Sequence, residues 1–158
     1  MAFPAFIYSI WSNRFAFEAA PHPLPVIAAI ERKKLVKTVI VVFSDPKSGS
    51  EEALGRVFNA LFLAYELKEK QRDFDLVFQG AGVRWPAELA QPAHPAHALY
   101  EAVLDRIVAC GGCADVFGAA GGLAPTGIDL VRDKSIPGTT GVLDLSRHLD
   151  AGHCLVTF

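Results

Sequence analysis

Two cysteines lie three residues apart in "RIVACGGCADVFG" (106–118), where the apolar run Ile107, Val108, Ala109 breaks on Gly111 and Gly112 and a helical pattern resumes. Cys110 and Cys113 at this spacing suit three arrangements. One is a nucleophilic thiol with a resolving partner a helical turn onward, the second is half of a metal shell, and the third is plain packing of two small hydrophobes. The thiolate is the nucleophile, and a cysteine just ahead of a helix meets unpaired backbone N–H groups and the positive end of the helix dipole. Gly111 and Gly112 would let those amides approach the sulfur unobstructed. On this reading Cys110 attacks, Cys113 resolves, and alkylation reaches Cys110 first, with the packing and metal readings standing beside it.

The metal reading needs more ligands, and only His94 and His97 in "HPAH" are on offer. HxxH is shorter than the usual zinc-finger spacing and Pro95 stiffens it, so both are expected as solvated loop residues and no metal site is expected. His22, His148 and His153 lack partner spacing and are expected at the surface or at helix ends. Cys154, alternating with apolar residues in the closing "HCLVTF", is expected in the core. Arg84 and Arg106 are candidate sources of positive charge near the thiols.

The elements that must position these residues follow from hydrophobic patterning. "KTVIVVFSD" (37–45) is an almost unbroken β-branched run, predicting an interior strand over 38–44 with Val39 to Phe43 buried on both faces. Ser48 with Glu51 makes a capping-box signal for a long helix ending near Glu69. "DFDLVFQGAGV" reads as a second strand closing on Gly80 and Gly82. Pro86 to Leu89 starts a short helix, "HALYEAVLDRI" another, and residues 107–109 form a third strand. "CADVFGAAGG" reads as helical, "GIDLV" (127–131) as a fourth strand, Leu143 to Leu149 as a helix and the C-terminus as a fifth strand. Alternating strands and helices predict an α/β fold with a mainly parallel five-stranded sheet and helices on both faces. In such sheets ligands meet the carboxyl ends of the strands. Three loops fall there: Ser44 to Ser50, Gly80 to Trp85, and Cys110 to Cys113. Ser44, Asp45, Gly80, Gly82 and Arg84 are accordingly the candidate substrate-binding residues, each with a turn or packing role as its alternative.

A chain of 158 residues with 51% hydrophobic content is long enough to bury one core without disulfides or metal. A formal charge of -2, without a basic stripe, argues against nucleic acid or a membrane surface as partner. No Walker A or GxGxxG motif is present, so no nucleotide or flavin cofactor is expected. Three cysteines without a recognisable export signal suit a reducing compartment, the cytoplasm by default. The aromatic-rich start lacks a basic n-region and a continuous apolar span. Pro21, Pro23 and Pro25 then suggest a linker. Residues 1–36 therefore read as an N-terminal extension, either a peripheral arm or sequence upstream of the true start, and 37–158 as the folded domain.

Over that domain the sequence resembles the DsrE/DsrF-like family, carried by "TVIVVFSDP", "LVFQGAGVRW", "LYEAVLDRIVACGGCADVFG" and "LDAGHCLVTF" in this order. The resemblance implies a flavodoxin-like fold and a role in sulfur relay. Family members with known activity carry sulfur as a persulfide on a cysteine between the third strand and the next helix, with a glycine eight residues on. Cys110 with Gly118 fits that spacing, and Cys113 is not the same position. The resemblance further implies sulfur donor and acceptor proteins as partners and a trimer or hexamer. The rival expectation is a non-catalytic oligomeric binding or assembly module with structural or metal-binding cysteines.

Overall fold

The computed structural model describes residues 36–158, so the extension expected over 1–36 lies, but for Val36, outside the described residues. In chain order the elements are β1 (Thr38–Val42), α1 (Glu51–Glu69), β2 (Phe74–Phe78), α2 (Trp85–Leu89), α3 (His97–Val103), β3 (Ile107–Cys110), α4 (Gly111–Val116), α5 (Ala120–Leu123), β4 (Asp129–Val131), α6 (Ser146–Asp150) and β5 (Cys154–Thr157). The strands form one five-stranded sheet in the order β4-β3-β2-β1-β5, and every pairing is parallel. This is the α/β, flavodoxin-like architecture expected from the alternation of patterns.

The β-branched run explains the centre of the sheet. β1 lies between β2 and β5, and Val39 to Val42 are wholly buried, so both faces of the strand are covered. α1 covers one face with Ala53, Val57, Ala60, Leu61, Ala64 and Leu67. From β1 to β4 the chain steps in one direction across the sheet, then returns past β1 to β5. Right-handed crossovers place the first three connections on one face and the returning one, with α6, on the other.

Several local expectations shift. β1 ends at Val42, on which the Gly80–Arg84 turn packs, and Phe43 just beyond it is 42% exposed. A Cβ on Gly82 would lie 2.9 Å from the Val42 carbonyl carbon. Ser50, not Ser48, caps α1, its Oγ accepting the Ala53 N–H at 3.1 Å. Pro46–Ser48 forms a separate 3-10 turn capped by Asp45 and closed by Gly49 at φ 63°. The helix expected from Leu143 begins at Ser146. The Asp144 carboxylate accepts both the N–H and the hydroxyl of Ser146, at 3.0 and 2.6 Å, turning the chain there and leaving the Leu143 amide outside any helix.

Cys154 is exposed rather than in the core, since β5 is an edge strand paired only with β1. His148, expected at the surface or at a helix end, lies in the last turn of α6 and is buried at 4% exposure, turned inward against His153, Nδ1 to Nδ1 at 3.2 Å.

Candidate functional site

Cys110 is the last residue of β3 and the residue preceding α4, at the carboxyl edge of the sheet. α4 runs six residues and ends in Gly118 at φ 65°, a left-handed conformation suited to glycine. The Gly118 N–H donates to the Asp115 carbonyl and the Ala119 N–H to that of Ala114, a Schellman closure. The glycine eight residues beyond Cys110 is thus the stop signal of the helix that Cys110 precedes.

The Cys110 sulfur has a different surrounding from the one its sequence position suggests. The recorded amide donor is Leu143, whose N–H reaches Sγ at 3.4 Å from the chain beyond β4, and Cys110 is 0% exposed. Gly111 and Gly112 serve this crossing segment. A Cβ on Gly111 would lie 2.5 Å from Arg132 Cγ and 2.7 Å from its Cζ, and one on Gly112 would lie 2.5 Å from the Gly141 carbonyl oxygen. The glycine pair admits the 132–143 segment onto the cysteine turn.

Cys113 is half-buried and sits in the first turn of α4, three residues beyond Cys110. Burial pushes its thiol up to about 11, and the hydrogen bond to Cys110 adds to the rise, while the Gly80 backbone N–H opposes it. Cys113 is therefore protonated at neutral pH.

The other candidates are brought to the same edge with distinct partners. Ser44 accepts the Trp85 indole N–H on its carbonyl at 2.8 Å. Asp45 accepts the Lys47 N–H at 3.0 Å and pairs with Arg84 at 2.6 Å. Arg84 Nε donates to the Phe117 carbonyl at 3.2 Å, and its Cζ stands 5.3 Å from the Phe117 ring centroid. One guanidinium so ties together the loops after β1 and β2 and the end of α4. Gly80 (φ 58°) meets both Phe43 and Cys113, and Gly82 packs on Val42. A cleft of ≈ 370 Å³ beside this cluster opens between the ends of β1 and β5, with Ser44, Asp45, Ser50, Arg56 and Phe158 among its walls.

Arg106 is not part of the site. It pairs with Asp73 at 3.3 Å and stands over Phe74 at the opposite end of the strands. The positive group beside Cys110 is Arg132, which follows β4 and was not read from the sequence. It holds both oxygens of Asp115, at 2.7 and 3.0 Å, and also donates to Thr140. The signal was present: Arg132 opens the fourth loop of the same carboxyl edge that supplied the other three. His94 and His97 are engaged locally, His94 Nδ1 by the Ala96 N–H and His97 Nδ1 by the Leu89 carbonyl. Among the described residues no three His, Cys, Asp or Glu side chains converge to hold a metal ion.

An all-parallel sheet with a cysteine pair at the junction after β3 defines a flavodoxin-like domain with a thiol site on its carboxyl edge. The model of the DsrE/DsrF-like family matches residues 37–158, and the chain belongs to that family. Membership supports a sulfur-relay-related role at family level. The chain is also similar to the uncharacterized protein MJ0733 of Methanocaldococcus jannaschii, 28% identical over 100 residues that make up 63% of this chain and 78% of that one. A conserved protein of unknown function from Bacteroides thetaiotaomicron, BT1422, shares the fold with a TM-score of 0.53 and 23% identity, over 77% of this chain and 94% of that chain. Among the described residues no helix is long and apolar enough to cross a membrane.

Proposed function

We propose that the protein carries sulfur as a persulfide on Cys110 and passes it to a thiol or protein acceptor. The observation that supports this most is the placing of two cysteines on one turn at a strand end, Cys110 closing β3 and the half-buried Cys113 in the first turn of α4, in a chain of this family. The Cys110 thiolate attacks the terminal sulfur of a donor persulfide, forming a new S–S bond as the donor's own S–S bond breaks and the donor leaves as thiolate. An acceptor thiolate then takes the terminal sulfur from Cys110 by the same exchange. Where Cys113 instead attacks the Cys110 sulfur, the terminal sulfur leaves as hydrosulfide and the two cysteines become a disulfide, which an external dithiol must reduce.

The reading requires a reducing compartment, which the cytoplasm supplies, together with donor and acceptor proteins. It includes a homo-oligomer, a trimer or hexamer. Phe43, Phe62 and Tyr65 are exposed, and the groove along α1 with Phe158 is the kind of apolar surface that a subunit contact covers. The roles of Ser44, Asp45, Gly80, Gly82 and Arg84 in this proposal are to hold the three loops around the thiols.

The test is intact mass after exposure to a persulfide donor. The expected result is an adduct of about 32 Da, one sulfur atom, removed by reductant and absent in Cys110→Ser. Loading that survives in Cys110→Ser but vanishes in Cys113→Ser would move the carrier role to the second thiol, and no loading in any form would leave the assembly-module reading.

A further inference from the structure

The Cys110 sulfur lies under a cover made of its own chain. Beyond β4, residues 132–143 fold back in a narrow loop held across by the pair Lys134 and Val142, whose N–H groups donate to each other's carbonyls at 2.9 Å. The returning arm brings the Gly141 carbonyl against Gly112 and the Leu143 N–H onto Cys110 Sγ. The outgoing arm lays the Arg132 side chain against Gly111. Residues 132–140 are all exposed, while the returning end is anchored by Val142, packed against the core, and by Leu143, 2% exposed within it. Segments of this kind open locally at far lower free energy than the core.

What fastens its exposed part, short of the Leu143 anchor, is polar. The Arg132 guanidinium grips the α4 residue Asp115 with two hydrogen bonds, and Thr140 joins the same carboxylate from the far side of the loop. We propose that residues 132–143 form a clasp over Cys110 that must open before the sulfur can react, with Arg132, Asp115 and Thr140 as its latch. The clasp governs access to Cys110 whatever the sulfur carries, so it stands or falls apart from the persulfide reading. Arg132 is here a positioning residue.

The charged and titratable groups around the latch are Cys110 and Cys113 on the turn below, Asp115 on α4, and Asp133, Lys134 and Arg147 on and after the loop, Arg147 being paired with Asp133. The hydrogen bonds from Arg132 and Thr140 hold the Asp115 carboxyl down to about 2, so the latch stays charged at neutral pH. The two side chains are about a third exposed, 31% and 36%, so dissolved salt can screen the pair. The gate is therefore insensitive to pH near neutrality and sensitive to ionic strength.

The experiment follows alkylation of the Cys110 peptide by excess N-ethylmaleimide in the native full chain, read by mass spectrometry. Arg132→Gln and Asp115→Asn should each speed it about fivefold, with Arg132→Lys restoring part of the slow rate. Urea midpoints should stay unchanged, and added sodium chloride should speed the parent chain but not the variants. Hydrogen exchange in the unaltered chain checks the same motion, and the 132–145 peptide should exchange well before the β1 peptide. Rates equal in parent and latch variants, faster labelling only in proportion to lost global stability, or a 132–145 segment as protected as β1 would each overturn the proposal.

Discussion

The Leu143 N–H donates to the Sγ of Cys110 at 3.4 Å across 33 residues of sequence. This bond brings the chain beyond β4 onto the end of β3, and it places a wholly buried sulfur beneath a largely exposed loop. Access, not only thiol chemistry, therefore orders the reactivity of the three cysteines. In the native protein at pH 7, iodoacetamide should modify Cys154 first, and Cys110 should be slowest. Peptide-resolved mass spectrometry of a time course measures this directly, and Cys110 labelling ahead of Cys154 would contradict the burial described here. The sequence-based expectation had the opposite order because it took the β5 cysteine for a core residue.

Cys113 supplies a pH dependence. Its thiol is pushed up to about 11 by burial and by its hydrogen bond to Cys110, so at neutral pH only a small fraction is the attacking thiolate. If sulfur is loaded on Cys110, its release as hydrosulfide by Cys113 should be slow near pH 7 and should rise roughly tenfold per pH unit until it levels off near 11. Cys113→Ser should lose this rising limb while still loading sulfur. Sulfide release measured between pH 7 and 10 checks it, and a flat profile in the parent chain would remove Cys113 as the resolving thiol.

The parts of this site that were legible in the sequence are those set by local pattern. An unbroken β-branched run specifies a strand covered on both faces, and the carboxyl-edge rule brings together the loops of Asp45, Gly80 and Cys110. The missed parts depend on order in space. Whether Cys154 is core or edge is decided by β5 lying outside β1, which no residue within "HCLVTF" encodes. Arg132 meets Asp115 only because β4 pairs with β3, and the polar segment that carries Arg132 has no periodicity to mark it. Phe43 reads as strand, yet it lies one residue past the end of β1 and is exposed, a boundary that the unbroken apolar run does not mark.

The histidine pair predicts how stability varies with acid. Burial lowers the folded-state value of His148 below its ordinary 6.5, and Arg147, His153 and Lys37 add to the lowering while Asp75 opposes it. The folded protein thus prefers neutral His148, whereas the unfolded chain takes up a proton as pH falls through about 6.5. The contribution is fully present above that pH and is lost as pH falls toward the folded-state value. The melting temperature should accordingly drop by a few degrees between pH 7.5 and 5.5, and His148→Gln should flatten that drop. Thermal unfolding across this range decides it, and an equal slope in both proteins would assign the acid sensitivity elsewhere.

Gly111 and Gly112 are neighbours in one helix turn, yet alanine should affect them differently. At Gly111 the three atoms nearest the new methyl all belong to the Arg132 side chain, whose Cγ, Nε and Cζ would stand 2.5 to 2.7 Å away. A flexible side chain can swing aside, and the better helix propensity of alanine offsets part of what is lost. At Gly112 the methyl meets the Gly141 carbonyl oxygen at 2.5 Å and Val142 Cγ1 at 2.9 Å. Gly141 holds φ 98°, a conformation open to few residues, so its backbone has little room to retreat. Gly112→Ala should therefore destabilise the fold by about 1–3 kcal/mol, while Gly111→Ala should fall within about 0.5 kcal/mol of the parent. Gly111→Ala should also speed Cys110 alkylation, since the methyl displaces the guanidinium that fastens the loop. Urea denaturation of the two variants, with peptide-resolved labelling of Gly111→Ala, tests both statements. Equal stability losses at the two glycines would mean that the loop yields as a whole and that Arg132 is not what the Gly111 methyl displaces.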